Sequence, residues 1–443
     1  MNKLIASFAG FTERYIPSAF IIAIFLTFCV FIAAKAIVGA GASEIIKAWG
    51  NGFWVLLKFA MQMCIVMLTG FIIAHAPVAK KALKKFAGLA KDGKSACILM
   101  AVSSMCLAWV HWGLSLVGSA VLIRFIVVRI PKIHYPLLVT CAYFGLGSVW
   151  HAGLSGSAPL LIATPGHFLE HKSGVVPFGD TIFSPWNLIM CVAMIICLTA
   201  ISAFLYPKDK DEIRVCPEST LKHFTDELRD APKQKPKTPA DTLSHTYIIN
   251  LAVGATGMIY FLLLFAQGEW SFNLNRFNLL FLMLSILFHP NIKSFLSAAE
   301  EGTKTISGII IQFPLYAGIY GVIKDTGLSQ ALTQAFISIS SETTFPLIVY
   351  YYSAFLNYFV PSGGSQWVVE APYLIDAAKE LGVPVRKLVL AFAWGDMVTN
   401  LIQPFWCLPL LAMAKVEFGK IMGYLIIIFL AALSIGTIGM LLI

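Results

Sequence analysis

The chain has 443 residues, 58% of them hydrophobic and only 12% charged, with a formal net charge of +9. The charged share is about half that of soluble domains, and a mean hydropathy of +0.79 argues against a soluble globular fold. Repeated apolar runs of about 20 residues read as a polytopic helical membrane protein, whose positive charge belongs to cytoplasmic loops rather than to nucleic-acid binding. The nine cysteines lie mostly in apolar stretches and show no metal-type or paired spacing. They read as packing residues. No phosphate-binding loop, metal-ligand set or nucleophile elbow is present, so neither an ATP-driven pump nor a familiar enzyme class is indicated, and no cofactor is expected.

In chain order, apolar spans are predicted near 18–39, 52–76, 186–206, 246–267, 275–290, 305–323 and 421–443. The first is long for a signal-peptide core and many spans follow it, so it reads as a transmembrane helix. Residues 77–94 carry Lys80, Lys81, Lys84, Lys85, Lys91 and Lys94 in AKKALKKFAGLAK, an amphipathic pattern suited to a helix lying on the membrane surface. Two longer regions, 95–166 and 344–414, are apolar but interrupted by polar residues. Residues 207–245 are charged and rich in Pro and Lys, and form a solvent-exposed linker. The basic loops fall on one face if residues 95–130 enter and leave on the same side. The positive-inside rule then places the N-terminus in the cytoplasm, and 40–51, 167–185, 268–274 and the C-terminus outside.

The two halves echo each other at an offset of 250. Gln62 matches Gln312, Phe86 matches Phe336, Gly113 matches Gly363, Ser115 matches Ser365, and Gly145 matches Gly395; Pro159-Leu160-Leu161 matches Pro409-Leu410-Leu411. Five crossings before the second copy make the copies inverted, a common plan in secondary transporters. The expected units are a first repeat at 1–206, a cytoplasmic linker and connecting span at 207–267, and a second repeat at 268–443. The fold class is thus all-α, an inverted-repeat secondary transporter with two re-entrant hairpins, about 95–130 and 344–380. Each hairpin precedes an interrupted helix, a broken one at about 136–166 and a polar-striped one at about 387–414.

The stretch NYFVPSGGSQW, from Asn357 to Trp367, breaks an apolar region with Pro, Ser and Gly. Pro lacks an N–H and Gly favours non-helical freedom, and a broken backbone in hydrocarbon must be buried by protein or line a polar cavity. It reads either as a tight turn between two spans or as a hairpin, with arms about half a bilayer long and a tip that binds a small solute. Ser362, Gly363, Gly364, Ser365, Gln366 and Asn357 are its candidate binding residues. The matching tip in the first half carries His111, Trp112, Gly113 and Ser115. Both tips are expected near the bilayer midplane. In the broken helix GLGSVWHAGLSGSAPLLIATPGH, the Gly and Ser density exposes backbone groups around Ser148, His151, Ser155, Gly156 and Ser157. Half-helix N-termini suit an anionic carboxylate and unwound carbonyls suit a cation; small residues also serve helix packing.

In the second half Asp396, Thr399, Asn400 and Gln403 recur at i, i+3, i+4 and i+7, one helix face, before Pro404 ends the helical bonding. An ionisable group at membrane depth is expensive and functional by default. Asp396 is therefore expected to hold a cation or proton, Na⁺ included, with Thr399 and Ser148 as companions. The alternative is a structural partner to a backbone donor or to His151. His111 and His151 titrate in a useful range or pack as hydrogen-bonded residues. Trp112, Trp150, Trp367, Trp394 and Trp406 border the expected site and would wall a small apolar pocket. From the residues alone the solute is small and anionic with a coupled cation; an uncoupled channel and an intramembrane enzyme are the rivals.

The stretches HWGLSLVGSA, HAGLSGSAPLLIATPGH, VPSGGSQWVVEAP and AWGDMVTNLIQPFWCLPLLA resemble the bacterial short-chain fatty acid transporter family, from FTERYIP at 11–17 to the C-terminus. That family is similar to a broader ion-transporter superfamily with inverted repeats and paired hairpins, often a dimer with an elevator-like mechanism. The resemblance implies a homodimer in the inner membrane, carrying short monocarboxylates such as butyrate or acetoacetate. One departure is His111-Trp112-Gly113 where Asn-Trp-Gly is expected. Asn donates and accepts at once, whereas neutral His needs the right tautomer, so a change in substrate preference or pH dependence is expected there.

Overall fold

The computed structural model describes residues 19–228 and 238–443, with Pro17 and Pro236. Ser18, the first six residues of FTERYIP, and Lys235 and Lys237 of the linker lie outside the described residues. Among these residues the chain is all-helical. Seven helices are long and apolar enough to cross a membrane, and an eighth qualifies if one bent pair counts as a single span.

The first half opens with α1 (Ala19–Val38), the short α2 (Ala42–Gly52), α3 (Leu57–His75) and the Lys-bearing α4 (Pro77–Ala87). There follow α5 (Gly93–Val110) and α6 (Trp112–Arg129), then α7 (Tyr135–Ser148), a break, the short α8 (Ser157–Ile162) and α9 (Pro185–Leu205). After the linker, α10 (Tyr247–Ala266) connects to the second half. This comprises α11 (Leu274–Leu287), α12 (Ile292–Thr303), α13 (Ser307–Asp325), α14 (Leu328–Ile339), α15 (Phe345–Phe359), α16 (Gly363–Glu380), α17 (Val385–Val398), α18 (Cys407–Ala414) and α19 (Met422–Leu441). Local chemistry explains several starts. Asp92 accepts from Ser95 N–H at 2.8 Å while the Ser95 hydroxyl accepts from Asp92 N–H at 2.9 Å, a reciprocal cap for α5. Ser184 caps α9, and Pro185 takes its first turn, where the missing N–H is harmless.

Helix boundaries recur between the halves. Both ends of α13 lie 250 residues after those of α3 (57 and 307, 75 and 325), and both ends of α17 lie 250 after those of α7 (135 and 385, 148 and 398). The Gly145 and Gly395 match gains a physical meaning from the packing of these helices. A Cβ on Gly145 would stand 2.3 Å from the carbonyl oxygen of Ser104 on α5, and one on Gly395 2.2 Å from that of Tyr350 on α15. In each half the hairpin's first arm presses on the following helix at a glycine. The halves also exchange partners: α2 packs on α13, and α12 packs on α3.

The helices read as hairpin arms are longer than the half-bilayer expected from the sequence, and α5 and α6 are themselves among the seven long and apolar enough to cross a membrane. The arms contain 15 to 18 residues, about 22–27 Å at 1.5 Å per residue, against roughly 15 Å for half a bilayer core. The apolar sequence around each tip propagates helix in both directions until a cap, glycine or proline stops it, as at Asp92, Pro131 and Gly382.

The two sets of polar ends cluster separately. Arg124 on α6 meets Glu227 of the linker at 2.8 Å and lies over Phe224, and Tyr135 donates its hydroxyl to Ala414 O at 2.6 Å. Elsewhere Lys172 reaches Asp376, Lys387 reaches the Ile443 carbonyl, and Asp325 shares a groove with Gly41 and Lys47.

Candidate functional site

Both hairpin tips and both helix breaks converge on one partly open cavity of about 40 Å³. Trp112 comes from the first tip, Trp150 and Ser157 from the first break, Ser362, Gly363 and Gly364 from the second tip, and Asn400 and Trp406 from the second break. Phe313 and Ile309 of α13, Met63 of α3 and Leu146 of α7 complete the wall. The aromatic rings interlock edge to face: Trp112 lies 5.2 Å from Trp406 and 6.1 Å from Trp150 between centroids. No charged side chain lines the cavity. A solute there meets apolar rings, hydroxyls, one side-chain amide and helix-end N–H groups.

The two tips differ in how their backbone donors are satisfied. At the first, the Ser155 hydroxyl accepts from Trp112 N–H at 2.9 Å, and His111 Nδ1 accepts from Leu114 N–H at 3.3 Å. At the second, Ser362 precedes α16 without capping it; its hydroxyl turns to Ser365 Oγ at 3.1 Å. The first N–H groups of an α-helix have no intrahelical acceptor, so those of Gly363 and Gly364 are left to whatever occupies the cavity.

Behind Gly363 sits a buried pair. His151 Nε2 accepts from Ala158 N–H at 3.1 Å, which places the ring proton of a neutral imidazole on Nδ1. Nδ1 then donates to Asp396 Oδ2 at 2.5 Å, with both side chains fully buried. Asp396 Oδ1 is also buried and has no hydrogen-bond partner. A Cβ on Gly363 would stand 2.5 Å from His151 Cε1 and 2.7 Å from Asp396 Oδ2. Glycine is therefore what lets the second tip touch the pair.

Asp396, Thr399, Asn400 and Gln403 do not form the continuous helical face read from their spacing. Helix α17 ends at Val398, a 3₁₀ turn covers Thr399–Leu401, and Gln403 lies beyond it. Pro404 disfavours helical geometry in the residue before it; Thr399, Asn400 and Gln403 join one network with Asn357, while Asp396 turns to His151. Thr399 donates to Ala354 O at 2.9 Å. Asn357 Nδ2 bridges Thr399 Oγ1 and Asn400 Oδ1, both at 2.9 Å. Asn400 Nδ2 donates to Leu146 O at 3.0 Å across the break, and Gln403 Nε2 donates to Asn400 Oδ1 at 3.2 Å.

Other expected residues stand back from the cavity. The His111 ring faces Thr69 at 3.3 Å and packs on Phe277 and Phe281. Gly113 lies against the His111 ring and Met67. Ser115 bonds Ser104 O at 2.7 Å, and Ser148 bonds Phe144 O at 2.7 Å on its own helix. Gly156 shapes the turn after His151, whose carbonyl would meet its Cβ at 2.2 Å. Of the five tryptophans expected to border the site, Trp367 and Trp394 do not line it; Trp367 packs on Phe392 and Trp394 donates to Asn187 Oδ1 at 3.0 Å. Glu370 was missed as a candidate although it stands in WVVEAP, where an acid inside an apolar run is itself a signal. It is fully buried beside Ser353 and Gln366. Among the described residues no group of three or more His, Cys, Asp or Glu could hold a metal ion.

Residues 1–443 match a family described as short chain fatty acid transporter. A protein of Escherichia coli K12 named "Putative short-chain fatty acid transporter" is 36% identical over 430 residues, covering 97% of each chain. One of the same name in Haemophilus influenzae Rd is 33% identical over 421 residues, 94% of this chain and 93% of that one. Among solved structures, the YdaH transporter of Alcanivorax borkumensis aligns over 96% of this chain and 97% of its own, with a TM-score of 0.55 at 14% identity. MtrF of Neisseria gonorrhoeae, described within a class of antimetabolite efflux pumps, aligns over 100% and 96% with a TM-score of 0.57 at 15% identity. At those identities the likeness is one of fold.

Proposed function

Because this chain belongs to the short-chain fatty acid transporter family, and is a multi-pass membrane transporter rather than an enzyme, we propose that it carries small monocarboxylates such as butyrate or acetoacetate coupled to a cation. The observation that carries the reading is the second hairpin tip: uncapped N–H groups at Gly363 and Gly364 open on a cavity walled by Trp112, Trp150, Trp406 and Phe313. A helix N-terminus favours an anion through its free donors and its dipole. The carboxylate meets those amides, with Ser362, Ser157 and Asn400 beside it, while the short alkyl tail lies among the rings. Size supports a short acid. The cavity's 40 Å³ corresponds to about three waters at roughly 10–15 Å³ each, a scale that suits a small solute.

Asp396 is the proposed coupling site. Its Oδ1 is buried and unpartnered while its Oδ2 is held by His151, an arrangement that leaves one oxygen for a proton or a small cation such as Na⁺. Gly363 rests on this pair, so loading Asp396 and seating the carboxylate share one contact. Two inverted repeats would then present the cavity alternately to each side, in an elevator-like movement of a homodimer in the inner membrane. The Lys-rich loops and the N-terminus would be cytoplasmic and the C-terminus periplasmic. The helix order repeated at 250 residues and the reciprocal packing of the halves support that plan.

The test is purified protein in lipid vesicles with labelled butyrate, Na⁺ and pH gradients imposed independently, and protein-free vesicles subtracted for passage of the neutral acid. Wild type is expected to accumulate substrate above its outside concentration under one of the two gradients. Asp396→Asn is expected to keep measurable counterflow and lose that accumulation. Equilibration without accumulation in wild type would instead mean an uncoupled facilitator, and wild-type accumulation by the variant would remove Asp396 from coupling.

A further inference from the structure

We propose that Glu370 is a second, separate proton-carrying site, built into the second hairpin behind its tip. This rests on the transporter reading above but not on the role given to Asp396. Glu370 is fully buried, and its shell holds no cation. Oε2 accepts from the Ser353 hydroxyl at 2.6 Å, and Oε1 accepts from Gln366 Nε2 at 2.6 Å. The titratable groups that face it are Tyr352 from α15, Tyr373 from α16 itself and Asp396 from α17. All are neutral or acidic. An isolated buried carboxylate is expensive, and it takes up a proton rather than stay charged without a partner. The resting form is therefore the neutral acid. In that form the contact with Ser353 reverses, the acid's proton on Oε2 being donated to Ser353 Oγ, and the buried Gln366 Oε1 has no partner of its own.

The corresponding helix pair of the first half forms without this acid. At the offset of 250, Glu370 corresponds to Ala120, Gln366 to Leu116, and Ser353 to Ser103. The first hairpin fills the same place with Ala and Leu, both buried. Its serine turns back to Leu99 O on its own helix. Only the second hairpin, the one with the uncapped tip, carries the acid. Gln366 links the two ends of this arrangement. Its N–H donates to Ser362 O at the tip, while its side-chain amide bridges Ser353 O and Glu370. When the tip moves and water enters, Glu370–COOH loses H⁺ to that water and becomes the carboxylate, with Ser353 and Gln366 as its donors. Reprotonation from the opposite side restores the neutral acid before the hairpin closes.

The experiment measures butyrate counterflow at equal pH on both sides of the vesicle, stepped from acid to alkaline, for wild type, Glu370→Gln and Glu370→Asp. Infrared difference spectra between acid and alkaline pH are taken on the same proteins without substrate. Wild type is expected to show a pH-dependent exchange rate and a protonated-carboxyl band. Glu370→Gln is expected to lose the part of the band and of the pH dependence that Glu370 supplies, and Glu370→Asp regains both. If Glu370→Gln does not fold, the double variant Gln366→Leu/Glu370→Ala, which copies the first hairpin, replaces it and is expected to lose the same part of the pH dependence. A wild-type pH profile in either variant, or an unchanged carboxyl band, overturns the proposal. Absence of any protein-dependent counterflow in wild type would instead overturn the transporter reading, and the infrared band would still report on Glu370.

Discussion

His111 and His151 are both fully buried, yet they have different work. His151 is engaged at both ring nitrogens, by Ala158 N–H and by Asp396, and it stacks on Trp150 at the cavity wall. His111 caps α6: Nδ1 accepts from Leu114 N–H, so Nε2 carries the proton and donates to Thr69 Oγ1, whose hydroxyl in turn donates a hydrogen bond to Ile65 O. Asparagine is among the better helix N-caps, so the Asn expected at position 111 would serve the same purpose. His111→Asn is expected to leave thermal stability and the pH profile of uptake close to wild type. His111→Leu strands the Leu114 N–H and is expected to cost about 1–3 kcal/mol of stability. Thermal melts in detergent beside uptake across pH check both; a shifted pH profile in His111→Asn would restore a direct role for the ring.

At the scale of elements, the hairpins occupy equivalent places but one tip is closed on itself and the other is not. Ser155 and His111 take the N–H groups of Trp112 and Leu114 at the first, whereas Ser362 leaves the start of α16 uncapped. Serine-to-alanine changes at the two tips should therefore fail in different ways. Ser155→Ala leaves Trp112 N–H buried without an acceptor and is expected to destabilise the protein by about 1–3 kcal/mol. Ser362→Ala removes no cap, and its effect is expected on binding. Loss of a hydrogen bond to a charged group is worth about 1.5–3 kcal/mol, or roughly 10- to 100-fold in carboxylate affinity. Melting temperature with and without butyrate reads both quantities on the same samples. Equal losses of stability at the two serines would mean that the tips are equivalent after all.

At the scale of the whole molecule, polar groups gather at two separate sets of helix ends. Arg124, Glu227 and Phe224 gather at one set of helix ends, and Lys172 and Asp376 at another. A topology experiment follows. Lys84 on α4 is exposed, and Val175, exposed near Lys172, takes part in no ion pair. Cysteines placed at these two positions, in a background whose exposed native cysteines Cys29, Cys106 and Cys197 are replaced, are expected to react with impermeant reagent from opposite sides, Lys84 from the cytoplasm. Labelling of both from one side would overturn the proposed inverted arrangement of the halves.

Membrane class, helical fold and family were legible in the residues because each is written locally or along the chain. A run of about 20 apolar residues spans a bilayer whatever it touches, and motifs such as VPSGGSQW and AWGDMVTN are read in order. The polar clusters at the tips and breaks could also be named from the chain, since Pro, Gly and Ser interrupt helices by their own stereochemistry. Which of those residues face the cavity was a different matter. Spacing placed Asp396 with Asn400 and Gln403, but the helix stops between them, and Asp396 meets His151, 245 residues away. The same spacing rules put Trp367 and Trp394 beside the site, whereas only Trp112, Trp150 and Trp406 reach the wall. Burial of Glu370 against Ser353 and Gln366, and the unequal capping of the two tips, rest on contacts between helices that local propensity does not encode. A side chain's direction depends on where its helix ends and what packs across from it, and only the tertiary structure decides that.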